Sequence, residues 1–155
     1  MDGAAAVEDF PEAEMDFRPA PDVMTFREVA RHILDAGDGL TGLLLAGEAN
    51  FATPEFRARM KDHMRSLPAD TGGAALAAAM RESVEERAAA FAAQTPEFYG
   101  QMVTRFDGQK VTRLEMLQTI KEHELTHRAH LFLCLRMKGI VPATTRRRLA
   151  AQAGK

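Results

Sequence analysis

Apolar residues recur at three- and four-residue steps along most of this chain. The clearest run is Phe26, Val29, Ala30, Ile33, Gly37, Leu40 and Leu44, which marks the buried stripe of one helix. In front of it, Thr25-Phe26-Arg27-Glu28 has the form of a capping box, with Met24 and Val29 placed as its hydrophobic staple. The helix should end near Gly47. Thr53-Pro54-Glu55-Phe56 reads as a second start, an N-cap followed by proline at the first helical position, opening a short helix that stops before Pro68. A longer helix over 74–94 carries Leu76, Met80, Val84, Ala88 and Phe91 on one face. Thr95-Pro96-Glu97-Phe98 then repeats the earlier tetrapeptide as shared capping chemistry, since nothing around it repeats.

The period changes after Met102. Met102-Val103-Thr104-Arg105-Phe106, Asp107-Gly108 and Gln109-Lys110-Val111 have the signature of a tiny hairpin or an extended loop over 102–111. Thr112-Arg113-Leu114-Glu115 is a second capping box, and the helix it opens should reach Lys138, with Gly139 as left-handed cap, Ile140 packing on Leu135 and Pro142 preventing continuation. A last helix covers 143–152. Residues 1–24 contain three prolines and no sustained period, so they read as irregular apart from a turn of helix near 4–7. The expected class is all-α: an up-down helical bundle in one domain over 21–155, preceded by an acidic irregular segment over 1–20, with the first bundle helix short or missing.

Composition agrees. Alanine, leucine, glutamate and arginine dominate, with no tryptophan and one tyrosine, which favours helix over sheet. A net charge of -2 makes no case for nucleic-acid binding, and Arg146-Arg147-Arg148 is too short a basic run to supply one. The charge is unevenly spread: six acidic groups and no basic one among the first sixteen residues, seven basic and no acidic from Arg128 onward. That asymmetry reads as a solvated tail and a basic helix end, or else as an anion-binding or subunit-docking surface. Cys134 is the only cysteine, no basic start precedes an apolar run, and no apolar stretch approaches the roughly 20 residues that cross a bilayer. The expectation is a cytoplasmic protein with no membrane or nucleic-acid partner.

Histidine carries the candidate chemistry. His123, His127 and His130 fall at spacings that place their rings within a wedge of about 60° on one helix, together with Met116 and Cys134. Ile120, Leu131 and Leu135 flank the wedge, so it faces the core. Each neutral imidazole has two polar nitrogens to satisfy. A divalent ion can take one from each of His123 and His127. His32, at the edge of the first apolar stripe in the row Ala36, Gly39 and Leu43, is the candidate third ligand, the small neighbours leaving room for an ion, a water and a substrate. Three imidazoles with open positions suit zinc, nickel or iron(II). The competing reading has these rings bonded to carboxylates or carbonyls and binding nothing. His130 would be a partner or cavity wall and His63 a surface residue. Asp35 and Glu28 flank His32 at helical spacing and would orient it or act as a base, unless they are ordinary exposed charges. Cys134 would be core packing, a thiolate ligand being the minority alternative.

His123-Glu124-Leu125-Thr126-His127 also matches the HExxH helix of zinc proteases. The extended form of that motif needs glycine and histidine where this chain has His130 and Leu133, and no Asp or Glu follows Glu124 to serve as a later ligand. A metalloprotease is not expected.

Three segments resemble the DinB/YfiT-like superfamily: Phe17-Arg18-Pro19-Ala20-Pro21 leading to Thr25 through His32, Thr112 through Arg128, and Leu135 through Pro142. The resemblance spans about 17–148. It implies a four-helix bundle, commonly a homodimer, with nickel, zinc or a similar ion on three histidines matching His32, His123 and His127. It also implies kinship with low-molecular-weight-thiol S-transferases and a mycothiol-dependent maleylpyruvate isomerase. On that footing the chain is expected to be a metal-dependent thiol transferase or hydrolase acting on a small electrophile. A bound thiol would be held by Arg128, Arg136 or the basic tail. The alternative is a non-catalytic metal-stabilised interaction module. The chain departs from the family in having only seventeen residues before Arg18 where a full helix is usual. The helix over 54–66, a second subunit or a truncated start would account for that. The second departure is His130, where a polar residue is usual.

Overall fold

The computed structural model describes residues 2–154. Its elements in order are α1 (Asp2–Asp9), α2 (Phe26–Leu45), α3 (Phe56–Met60), α4 (Gly73–Ala92), α5 (Pro96–Gly100), β1 (Met102–Thr104), β2 (Lys110–Thr112), α6 (Arg113–Met137) and α7 (Ala143–Ala153). The fold is all-α apart from one two-stranded hairpin. The chain divides into two compact units, residues 1–33, 67–82 and 126–155 forming the first and residues 34–66 and 83–125 the second. No helix among the described residues is long and apolar enough to cross a membrane.

The long helices begin and end where their capping residues dictate. At α2 the Glu28 carboxylate accepts the Thr25 N–H at 2.6 Å while the Thr25 hydroxyl accepts the Glu28 N–H at 3.1 Å. At α6 Thr112 and Glu115 do the same at 2.7 and 3.2 Å. Each box satisfies donors that a helix start leaves orphaned. Gly139, at φ 74°, closes α6 as expected: its N–H reaches Arg136 and that of Ile140 reaches Leu135. The two Thr-Pro tetrapeptides differ. The Thr95 hydroxyl accepts the Phe98 N–H and Pro96 starts α5, whereas Thr53 gives no side-chain cap. The helix expected up to Leu67 is only α3 followed by a 3₁₀ turn, Lys61–His63.

In the first unit the amino-terminal segment is not irregular. α1 buries Gly3, Ala4, Ala6 and Val7, and Phe10 stacks on Phe26 at 3.7 Å between ring centres. A run of alanines has high helix propensity but little apolar area, so its burial depends on the elements around it and leaves no periodic signal. Nor are the end charges a solvated tail. Asp9 pairs with Arg146 at 2.8 Å, Asp2 with Arg147 and Arg128, Glu14 with Lys138 and Glu8 with Arg81. Glu12 accepts the Gly73 N–H at 2.7 Å and so caps α4.

The second unit packs Leu40, Leu43 and Leu44 with Phe51, Phe91, Met116 and Ile120. Its hairpin pairs Val103 with Val111, both buried. It is anchored from outside, for Thr104 N–H donates to Ala49 and Phe51 N–H to Thr104, each at 2.8 Å. The turn is held by Asp107, which accepts from Arg105 at 2.7 and 3.1 Å and from the Gln109 N–H at 3.1 Å. The Arg105 bonds, and then the Gln109 N–H, hold its carboxyl down to about 2. A depressed carboxylate contributes above its ordinary range and is lost as the pH falls through the folded value. The Gln109 amide resonance should therefore keep its native position through pH 3.8 and titrate near pH 2. A midpoint at the ordinary carboxylate value would show that the turn lacks these bonds.

Candidate metal centre

His32 projects from α2, and His123 and His127 from successive turns of α6. The His32 and His127 rings meet edge to face, 4.6 Å between centres and 79° between planes. One nitrogen from each of the three histidines lies within 4.8 Å of the others, and each side chain is half-buried. No fourth His, Cys, Asp or Glu joins the group among the described residues.

The spacing fits an ion with little adjustment. If all three pairs stood at the 4.8 Å limit, a common point would lie about 2.8 Å from each nitrogen, against about 2.1 Å for a bonded ion. Closing the remaining ~0.7 Å takes about 10° of side-chain rotation, inside one rotamer well. Neutral imidazoles form a borderline donor set suited to zinc, nickel or iron(II).

The other expected site residues lie elsewhere or serve other ends. Glu28 is spent on its capping box and on Arg18 at 3.2 Å, the Thr25 N–H being the main cause of its lowered pKa. Asp35 is half-buried on α2. Cys134 is fully buried, and that burial raises its pKa, so it is a packed thiol and not a thiolate. His130 stays outside the triad, its Nε2 buried and bonded to no described residue. Arg128 lies over Phe132 and 3.6 Å from Asp2. Arg136 is exposed and donates to Thr145 at 3.5 Å. Arg128 is therefore engaged in charge pairing and packing, and Arg136 in a surface bond. The small residues beside His32 do not open a chamber: a Cβ on Gly39 would meet Met60 at 2.9 Å, and Ala36 and Leu43 are core.

Sequence reasoning missed a buried polar centre in the second unit. Asp38, 7% exposed, accepts from the Ser83 hydroxyl at 2.5 Å and from Arg65 at 3.0 Å, with Arg87 at 3.9 Å. The signal was Gly37 in mid-stripe, where a Cβ would meet the Arg87 guanidinium at 2.6 Å.

An all-helical chain presenting three imidazoles on two helices, with no fourth protein ligand among the described residues, defines a class of histidine-triad helical proteins. The chain belongs to the DinB superfamily, whose family model matches residues 2–131. Its fold is that of a DinB-like protein, YjoA, from Bacillus subtilis (TM-score 0.69, 21% identity, 89% of this chain and 85% of that one). It is also similar to a mycothiol-dependent maleylpyruvate isomerase (TM-score 0.60, 16% identity, 84% of this chain), spanning 55% of that longer protein. No functionally curated protein matches the sequence.

Proposed function

We propose that this protein holds one divalent ion on His32, His123 and His127 and uses it to transfer a low-molecular-weight thiol, or water, to a small electrophile. The observation that carries the reading is the convergence of three histidine nitrogens within 4.8 Å with no fourth ligand among the described residues. A closed four-ligand set would suit a structural ion, whereas three ligands leave positions for exchange. An ion bound there supplies Lewis acidity, lowering the pKa of a thiol or water so that a nucleophile exists at neutral pH. The chain fixes the ring directions, since α6 sets His123 and His127 one turn apart and α2 brings His32 against His127. The mycothiol dependence of the similar isomerase supports a thiol as the co-substrate. A single buried cysteine suits a reducing, cytoplasmic setting. The exposed Leu125, Leu133 and Met137 of α6 suit a homodimer.

The test is metal analysis of untagged protein, then thiol-transfer assays with several bacterial thiols and a small alkylating electrophile. About one zinc, nickel or iron per chain is expected, with thiol consumption that stops on chelation and returns on reloading. Protein that retains no ion after exposure to all three metals would overturn the reading. Metal without turnover would leave a stabilised interaction module.

A further inference from the structure

Arg87 is a cation whose hydrogen-bonding capacity the fold leaves largely unused. Its side chain is only 16% exposed. Its Nε donates to the Ser83 carbonyl at 3.2 Å and stands 3.9 Å from Asp38 Oδ1. That carboxylate is already engaged, Oδ1 by the Ser83 hydroxyl and Oδ2 by Arg65. Among the described residues the two terminal nitrogens of Arg87 have no hydrogen-bond partner. Gly37 lets the guanidinium lie against bare helix backbone, because any Cβ there would strike Nη1. Burial lowers the pKa of Arg87, and Glu124 and then Asp38 oppose that shift without forming a close pair.

Arg87 lines a cavity of ≈ 370 Å³ in the second unit, walled by Val84, Phe91, Leu117 and Ile120, with Lys121 and Glu124 as its other charged residues. We infer that this cavity binds a small monocarboxylate with an apolar body, its carboxylate on the Arg87 fork and its body against those four side chains. The volume lies within the range of small-molecule sites, about 300–1,000 Å³, and a mostly apolar wall with few polar groups is their usual make-up. A guanidinium presents paired donors that match both oxygens of a carboxylate, which a lysine ammonium cannot do. Two cations against one carboxylate leave the lining with a single net positive charge, so Glu124 discriminates against dianions. None of the three histidines lines the cavity, so the inference stands apart from the metal reading.

The experiment titrates 4-fluorobenzoate into metal-stripped wild-type protein and metal-stripped His127→Ala, followed by ¹⁹F NMR and by the Arg87 Nε–H resonance. Removing the metal prevents the probe from being captured at the triad. Saturable one-site binding is expected in both proteins, with the Arg87 resonance shifting along the same isotherm. 4-Fluorobenzamide, same in shape but uncharged, should bind about tenfold more weakly or worse. Gly37→Ala, which keeps the charge and displaces the fork, should weaken the acid and not the amide. Absence of saturation below about 10 mM, equal affinity for acid and amide, or binding that leaves Arg87 unmoved would each overturn the inference.

Discussion

Replacing His127 with alanine is expected to abolish stoichiometric metal while leaving the helices standing. A four-ligand structural zinc is worth roughly 10–16 kcal/mol, so one ligand accounts for roughly 2.5–4 kcal/mol, or about 10²–10³ in affinity. His127 is the ring in direct contact with His32 and shares α6 with His123, so its loss leaves one imidazole from each helix, too few to hold an ion firmly. Its side chain is half-buried, and truncation there removes little core. Competition with a chromophoric chelator and circular dichroism on the same sample separate the effects. His130→Ala is the control, because His130 lies outside the triad, and it should keep its ion. Equal metal in wild type and His127→Ala would end the assignment of these three rings as ligands.

The helices were legible where apolar period and end chemistry agreed. α2 and α6 have both, and their caps form with the residues the spacing names. The hairpin was legible from Asp107-Gly108, with Gly108 at φ 82°, though its anchoring by Ala49 and Phe51 depends on chain distant in sequence. α1 was not legible. Alanine burial carries no amphipathic signature, and the acids that looked like a solvated tail are matched by basic side chains from Arg81 to Arg147. Local propensity says where a helix can form. Charge partners more than a hundred residues away decide whether this one is docked.

The triad was legible because helical spacing fixes the bearing of His123 and His127, and the edge of the α2 stripe supplied a histidine on a second helix. What the spacing could not convey was the use of neighbouring residues. Glu28, Arg128 and Arg136 have bearings compatible with a site, yet each is taken up in a cap, an ion pair or a surface bond. Asp38, Ser83 and Arg87 belong to no motif, and only the juxtaposition of α2 and α4 turns them into one network.

That network makes Asp38→Ala the largest single-residue loss of stability expected in the second unit. Removing a buried carboxylate strands its cationic partners, and breaking such a pair on one side costs about 3–5 kcal/mol, a large part of the 5–15 kcal/mol that holds a domain together. Arg65 loses a 3.0 Å bond but keeps Glu86, while the more deeply buried Arg87, 3.9 Å away, loses one of the two carboxylates that oppose its burial. Asp38→Asn keeps an acceptor for the Ser83 hydroxyl and should cost less than alanine. Ser83→Ala removes one hydrogen bond and should cost about 1 kcal/mol. Urea denaturation measures each, and the decisive comparison is a double-mutant cycle. If the penalty comes from an uncompensated Arg87 cation, Arg87→Met added to Asp38→Ala should restore part of the loss instead of deepening it. An Asp38→Ala protein within about 1 kcal/mol of wild type, or a double variant whose losses simply add, would show that the carboxylate does not offset the charge of the buried guanidinium.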